Sequence, residues 1–473
     1  MLEIEKLIAP STRVTFNVKG EMKIDGMGMI TPIKIAKDMV NILPDKEFNK
    51  DTKFLDVACK SGNFLRCIHD RLMTSESMIK AFPNDRERHF YIINNQLYGV
   101  ALQQQDVMIA TRNVYGQLVK DSHIVYIPSY IDRYISCRDI KGLQDKLKEL
   151  TGQMKFDVII GNPPYNNDMY LDFVTVAKNL IDKQEGDGCV CMITPAKWQA
   201  KSDKKNDAFR KDIVQYMDKI VFYPDTTEIF NIAETGGICY YTLDTNVHEN
   251  KEIKICSTLN KVVNSHEFED HCEENVRLIN TRLCQIIDKC VGSNHVNFAN
   301  TFDFGQSRYI KNTDRGYANK TLDSDLEVMQ GTDVVGYLPL SEVFTTQNIE
   351  KYKVITPVIS SGTNPFTKDG KFGRFINLYV IKPNQVPKGS FLPLKSFDSL
   401  NEANSFVSFY KTKLSQFLIF LGICGTTVTS EFFRFVPAPE AFDHIFTDEE
   451  LYEKYSLTEE EINIIESVIK DRK

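Results

Sequence analysis

The feature that most constrains this chain is a series of short apolar segments alternating with helical stretches between Lys53 and Leu243. KFLDVA (Lys53–Ala58), QLYGVAL (Gln96–Leu102), HIVYIP (His123–Pro128), FDVIIG (Phe156–Gly161), CVCMITP (Cys189–Pro195) and GICYYTL (Gly237–Leu243) are apolar along most of their length. A strand with one wet face alternates apolar and polar residues. A strand without that alternation is covered on both faces, as in a parallel sheet between two layers of helices. Helical periodicity in the intervals, as in LDFVTVAKNLI (Leu171–Ile181), supplies the covers. The expected fold class is α/β, a doubly wound, Rossmann-like open parallel sheet over residues 1–245.

The alternation stops near Thr245. From Asn246 to Pro437, short β-like runs mix with a few helices and many Asn, Thr and Gly turns, which predicts a second domain of mixed α+β character over 246–445. Within it, Phe406, Phe409, Tyr410, Leu414, Phe417 and Leu421 fall at helical spacing and predict a core-facing helix over Asn401–Leu421. A helical tail, 446–473, follows. Thr447…Glu450 and Thr458…Glu461 read as two capping boxes, each opening a short helix with an acidic first turn that suits the helix dipole.

Composition narrows the class. A chain of 473 residues has room for two or three domains, and 42% hydrophobic with 26% charged residues excludes disorder and fibrous repeats. The eleven cysteines are scattered without a CxxC pair, which argues against a zinc ribbon or a thioredoxin motif and for a reducing compartment. The longest apolar run, Phe417–Cys424, is far below the ~18–20 residues that span a bilayer, and the start MLEIEKLIAP lacks a signal-peptide pattern. The expectation is a soluble cytoplasmic protein. A net charge of −7 argues, taken alone, against nucleic acid as a partner.

Two loops carry the chemistry. Phe54-Leu-Asp-Val-Ala-Cys-Lys-Ser-Gly-Asn-Phe64 reads as a strand ending near Asp56, a turn of small residues and a helix starting near Asn63. Ligands of open α/β sheets bind at the carboxyl ends of strands. There Gly62 would admit close backbone approach to a ligand, and Asp56 could hold the ammonium of a zwitterion. With a single glycine and no GK[ST], a phosphate cradle is not supported. The second loop, Phe156-Asp-Val-Ile-Ile-Gly-Asn-Pro-Pro-Tyr165, delivers Asn162, Pro163, Pro164 and Tyr165 to the same sheet edge. Proline fixes φ and offers no N–H, so the Asn162 side chain and the Pro163 carbonyl can both act as acceptors, with the Tyr165 ring beside them. Two acceptors and a stacking ring suit a planar substrate with an exocyclic amine.

The D-x-A-C-x-S-G-N-F loop followed by Asn-Pro-Pro-Tyr resembles the S-adenosylmethionine-dependent amino-methyltransferases. Gly28-Met-Ile-Thr-Pro-Ile33 with the helix that follows resembles the leading TP motif of gamma-class adenine-N6 DNA methyltransferases of restriction–modification systems, of the type II or IIG-like kind. Leu97–Leu102, Gly188–Trp198, Thr235–Tyr241 and the tail Phe446–Ile469 are similar to later pieces of that group. By this resemblance the cofactor is S-adenosylmethionine, with Thr31, Pro32, Asp56, Cys59, Gly62 and Asn63 around its methionine end. Asn162, Pro163, Pro164 and Tyr165 would form the target-base pocket, and the C-terminal domain would read the DNA. Three departures stand out. Lys60 replaces a usual glycine, Val57 a common proline, and Ala101 an acidic residue for the ribose hydroxyls; Gln103, Gln104 or Asp106 could take that last role.

The implied reaction is methyl transfer to adenine N6, with both N–H bonds accepted at Asn162 and Pro163, in-line attack on the sulfonium methyl, and no metal. The base must first be flipped out of the duplex. The implied partner is double-stranded DNA, with any restriction endonuclease on a separate chain, because too few residues precede the TP motif for a nuclease and no D…ExK cluster follows. Residues 351–400 supply a basic segment: Lys351, Lys353, Lys368, Lys371, Arg374, Lys382, Lys388 and Lys395 against Asp369 and Asp398, interleaved with Tyr352, Phe366, Phe372, Phe375 and Tyr379. Lys368, Lys371 and Arg374 are its candidate DNA contacts. Rival readings are an NPPY methyltransferase acting on RNA or on protein glutamine, and a non-catalytic DNA-binding specificity subunit with a decayed cofactor site.

Overall fold

The computed structural model describes strands 14–16 and 22–24 and residues 30–117, 119, 121–181, 188–199, 204–223, 226, 229–230, 237–244, 254–257, 281–291, 298–303, 309–311, 315–359, 371–373, 376–423 and 427–471. The chain divides into two compact units. The first comprises Met1–Trp198, Asp203–Thr258 and Ser265–Asp270, the second Gln199–Ser202, Leu259–Asn264 and His271–Lys473.

In the first unit a small antiparallel hairpin, β1 (Val14–Phe16) and β2 (Met22–Ile24), precedes an eight-stranded sheet. Its strands are β3 (Phe54–Cys59), β4 (Leu97–Ala101), β5 (Ile124–Tyr126), β6 (Val158–Gly161), β7 (Cys189–Pro195), β8 (Met217–Tyr223), β9 (Ile238–Asp244) and β10 (Lys254–Ser257), in the order β10-β8-β9-β7-β6-β3-β4-β5. The six expected strands are all present. Every residue of β3, β4, β6 and β7 is buried, the condition their near-continuous apolar character implied.

Two strands escaped the sequence pattern. β8 carries Asp218 and Lys219 and is only intermittently buried, and β10 has four residues. β10 pairs with β8, so the sheet continues past residue 245. The sheet is also not wholly parallel, because β9 runs antiparallel to both β7 and β8.

The order of the strands sets the position of the site. From β3 the chain moves outward through β4 to β5, then returns to β6 on the other side of β3 and continues to β7. Right-handed crossovers therefore put the two sets of helices on opposite faces. One face is closed by α1 (Ile33–Asn41), α2 (Asn63–Thr74), α4 (Asp85–Asn95) and α5 (Gln104–Tyr115), which with the short α3 (Glu76–Ala81) precede β5. Ile35, Met39, Leu65, Ile68, Ile92 and Val114 from these helices share a core with Phe54, Leu97, Val158 and Cys191 of the sheet. The return half is built with α6 (Ile140–Thr151), α7 (Met169–Leu180) and α8 (Lys204–Val214). Where the direction reverses, between β3 and β6, open α/β sheets bind their ligands at the carboxyl edge.

The second unit holds α9 (Thr281–Cys290) and two three-stranded sheets. One has β11 (Leu326–Gln330) between β12 (Asp333–Leu338) and β15 (Gln385–Pro387), the other β13 (Tyr352–Pro357) between β14 (Tyr379–Ile381) and β16 (Phe391–Phe397). The helix expected over Asn401–Leu421 is two: α10 (Leu400–Lys411) and α11 (Lys413–Gly422). Thr412 breaks the run by adopting an extended conformation (ψ 148°) and capping α11 through the Ser415 N–H. Every residue from Leu414 to Gly422 is buried.

The tail forms α12 (Asp448–Lys454) and α13 (Glu459–Val468), both packed on α11 within this unit. Thr458 and Glu461 make the full capping box. At Thr447 only half of it exists, because the Glu450 carboxylate pairs instead with His444 Nε2 at 2.8 Å. Of the basic segment, Lys368 and Arg374 lie outside the described residues. Lys371 donates to the Glu466 carbonyl at 3.0 Å. Lys353 corrects the surface reading: it is wholly buried, its ammonium donating to the carbonyls of Asn348, Ile349 and Lys351. Phe372 is core, packed against Phe420.

Candidate active site at the carboxyl edge of the sheet

The β3 strand runs to Cys59, past the end near Asp56 read from the loop and one residue past the apolar segment that ends at Ala58. Its register against β4 shifts between Asp56 and Cys59, a bulge that leaves Val57 and Ala58 without partners in that ladder. The Ala58 N–H then donates to Asp56 Oδ1 at 3.0 Å. The turn that follows needs glycine at Gly62, where φ is +77°. A Cβ there would lie 3.0 Å from Val114 Cγ2 and 3.2 Å from the Ala110 carbonyl oxygen. The close approach that Gly62 permits is therefore to α5, and it brings the α5 face against the loop.

The two loops and the TP motif form one hydrogen-bonded unit. Asn162, 4% exposed, donates from Nδ2 to Thr31 Oγ1 at 3.0 Å. That bond holds the carboxamide in one orientation and leaves its carbonyl oxygen as the accepting end. Asn63 Nδ2 donates to the Thr31 carbonyl at 2.9 Å, and Asn113 Nδ2 donates to the Ser61 carbonyl at 2.8 Å and to Asn63 Oδ1 at 3.2 Å. Thr31 and Asn63 thus act as struts of the site. Pro32 is the N-cap of α1, which aims Thr31 inward. Asn113, in the third turn of α5, had no sequence signal.

Beyond Asn162, Pro163 is buried, and Pro164 and Tyr165 are half-buried. The Tyr165 ring meets Tyr170 edge-to-face at 6.5 Å and packs on the core. Asn167 and Asp168 follow with φ of 54° and 57°, and Asp168 is ion-paired with Lys197 at the end of β7. Two consecutive left-handed residues turn the chain from the loop into α7.

The ionisable groups cluster beneath this network. Burial pushes the Asp56 carboxyl up to about 7, against the opposing pull of the Ala58 N–H, Lys60 and Cys59. Asp106, at the start of α5 and 1% exposed, is pushed up to about 7 by its own burial, against the pull of Lys60. Its Oδ1 has no hydrogen-bond partner among the described residues. Lys60 is pulled down to about 8 by burial, with Asp56 and Asp106 holding it up. Burial next to those two acids keeps the Cys59 thiol protonated. Tyr130, in the loop after β5, also has a buried, unpartnered hydroxyl within electrostatic reach of Asp56. Of the three alternatives to an acid at Ala101, Asp106 faces this cluster. Gln103 is exposed, bonded to Gln105, and Gln104 lines a separate groove of about 820 Å3 at the β5 edge. Among the described residues no three His, Cys, Asp or Glu side chains are grouped to hold a metal ion, and no helix is long and apolar enough to cross a membrane.

A ligand carrying an α-ammonium and hydroxyl donors, as S-adenosylmethionine does, finds suitable acceptors here in Asp56 and the orphaned Asp106 oxygen. The donor set fits. Space is the obstacle: the cavity lined by Thr31, Asp56, Lys60, Gly62, Asn63 and Asn162 is about 10 Å3, room for about one water molecule.

Residues 95–167 match the family model of the Eco57I restriction-modification methylase, a segment that ends just past Tyr165. An uncharacterized adenine-specific methylase of Mycoplasma pneumoniae is 25% identical over 298 residues, covering 47% of this chain and 69% of that protein. Among solved structures, the M protein of the type I restriction enzyme EcoKI is similar with a TM-score of 0.36 at 13% identity, over 50% of each chain. A nuclease-deletion mutant of the type ISP restriction-modification enzyme LlaGI, in complex with a DNA substrate mimic, has a TM-score of 0.46 at 11% identity, over 80% of this chain and 43% of that one. The chain spans about half the length of such structures.

Proposed function

We propose that the protein is an adenine-specific DNA methyltransferase of a restriction–modification system, transferring the methyl group of S-adenosylmethionine to N6 of an adenine in double-stranded DNA. The observation that carries this reading is the Asn162–Thr31 hydrogen bond. It presents a buried carboxamide oxygen, followed by two prolines and an aromatic ring, at the sheet edge beside Asp56. The gamma-class assignment belongs to the same proposal, as does a DNA-contacting role for Lys368, Lys371 and Arg374.

Adenine N6 is a weak nucleophile because its lone pair is delocalised into the ring. Acceptors at Asn162 Oδ1 and the Pro163 carbonyl engage its two N–H bonds, favour a tetrahedral nitrogen and leave the lone pair directed away from the ring. Tyr165 stacks on the extruded base and offsets part of the few kcal/mol that flipping costs. Asp56 holds the ammonium of the cofactor's amino-acid end. The bound cofactor supplies an electrophilic sulfonium methyl, and the protein's contribution is largely proximity and alignment.

The test is transfer of tritiated methyl from S-adenosylmethionine to DNA, with the modified nucleoside identified by mass spectrometry. N6-methyladenine is expected, and Asn162→Ala should abolish it while leaving the melting temperature of the protein within a few degrees of the parent. Label in RNA or protein but not in DNA, or full activity of the variant, would overturn the reading.

A further inference from the structure

The hydrogen bonds that join the two loops and the TP motif form a chain that begins on α5. Asn113 Nδ2 serves two acceptors, the Ser61 carbonyl at 2.8 Å and Asn63 Oδ1 at 3.2 Å. Asn63 Nδ2 donates in turn to the Thr31 carbonyl at 2.9 Å, and Thr31 Oγ1 accepts from Asn162 Nδ2 at 3.0 Å. A carboxamide has a donor end and an acceptor end of nearly the same shape, so its partners decide which way round it sits. Reversing Asn63 would set its amine against the amine of Asn113 and its oxygen against the Thr31 carbonyl. Asn113 is fixed differently: both of its partners are acceptors, so only its Nδ2 can face them. The helix keeps it there. Asp106, Ala110, Asn113 and Val114 share one face of α5 by their spacing, and Ala110 and Val114 border Gly62. The Asn113 carbonyl, an orphan acceptor of the last turn, takes Arg66 Nη1 of α2 at 3.4 Å.

We propose that Asn113 is a positioning residue for methyl transfer: it orients Asn63, and through Asn63 and Thr31 it holds the Asn162 oxygen toward the target amine. The proposal rests on the reading of Asn162 as an acceptor for that amine. Without the Asn113 donor, nothing on that side opposes reversal of Asn63. The Thr31 carbonyl then loses its donor for part of the time, and the segment that carries Thr31 Oγ1 is held by one bond fewer. Asn113→Asp goes further. It keeps the shape of the side chain and replaces Nδ2 by an oxygen, which draws the Asn63 amine round and sets Asn63 Oδ1 against the Thr31 carbonyl. Aspartate should therefore disturb Asn162 more than alanine does, although it is closer in size to asparagine.

Nuclear magnetic resonance on the full chain with isotope-labelled asparagine tests the hold on Asn162 without cofactor or DNA. The Asn162 side-chain amide signal, identified by its loss in Asn162→Ala, should exchange with solvent about tenfold faster in Asn113→Ala and faster still in Asn113→Asp. The two substitutions keep the test open if one of them fails to fold. Single-turnover methyl transfer tests the consequence, with S-adenosylmethionine saturating so that any effect on cofactor binding through the Ser61 carbonyl drops out. The rate should fall about fivefold in Asn113→Ala, and less than about twofold when the same change is made in Thr31→Val, because members of one hydrogen-bond network are not additive. Unchanged exchange of the Asn162 amide would overturn the proposal. Rate losses that multiply in the double variant would overturn it too, and leave Asn113 as a support of the cofactor loop alone. If the parent transfers no methyl group to DNA, the functional reading falls and the catalytic role of Asn113 with it, while the exchange rates still decide whether Asn113 holds Asn162.

Discussion

The strut from Thr31 to Asn162 can be removed without disturbing the shape of the site. Thr31→Val replaces a hydroxyl by a methyl group of nearly equal volume. It keeps the backbone carbonyl that accepts from Asn63, and deletes only the oxygen that accepts from Asn162 Nδ2. Both side chains are at most 5% exposed, so water cannot replace the lost acceptor. Leaving one buried N–H unsatisfied costs about 1–3 kcal/mol. For a unit of this size that lowers the melting temperature by about 2–4 °C per kcal/mol. The catalytic effect is separate. A carboxamide free to rotate spends part of its time with Nδ2 where Oδ1 is needed, and a loss of about 1.4 kcal/mol at the transition state is tenfold in rate. The expected result is a kcat about tenfold lower at saturating cofactor, with little change in cofactor binding. Thr31→Ser, which retains the hydroxyl, should stay close to the parent in rate. Differential scanning fluorimetry and single-turnover methyl incorporation measure the two effects. If Thr31→Val melts and reacts like the parent while Thr31→Ser does the same, the hydrogen bond does not hold Asn162 and the reasoning fails.

Gly62→Ala should destabilise the first unit by about 1–3 kcal/mol through its left-handed φ, with further loss from the 3.0 Å contact to Val114. The double variant with Val114→Ala should recover only the contact part, and full recovery in thermal melts would show that φ was not the constraint. Lys353→Met should destabilise the second unit by leaving three buried carbonyls without their donor. Burial lowers Lys353 from 10.5 to about 8 in the folded chain, so between those values the unfolded state binds the extra proton. The Lys353 contribution to stability therefore rises with pH from about 8 to 10.5 and is level below. Urea titrations across that range should show the gap between parent and variant widening, and a constant gap would refute the assignment.

Much of the first unit was legible because burial on both faces leaves a mark in the sequence. β3, β4, β6 and β7 are fully buried, and each is apolar along most of its length, with Asp56 in β3 and Thr194 in β7 as the polar exceptions. β8 was not legible, because its half-exposed residues include Asp218 and Lys219, which look like loop. The direction of β9 was hidden for a different reason: composition carries no sign for parallel or antiparallel. Charge counting misled at Lys353, since a lysine counted along the chain is assumed to be wet. At Thr447 a capping-box spacing was present, but His444 took the glutamate that would have completed it.

The chemistry divides in the same way. Patterns along the chain determined that Asp56 and Asn162 each stand in the carboxyl half of a buried strand or just beyond it, and therefore near one edge of one sheet. Periodicity and turn chemistry are local, and they survive in a string of letters. Tertiary structure alone decided that Thr31 holds Asn162 across 131 positions, that Gly62 yields its space to α5, and that Asp106 comes within electrostatic reach of Lys60. Those relations depend on hydrogen bonds, contacts and charges that act over a few ångströms through space, and distance along the chain does not record them.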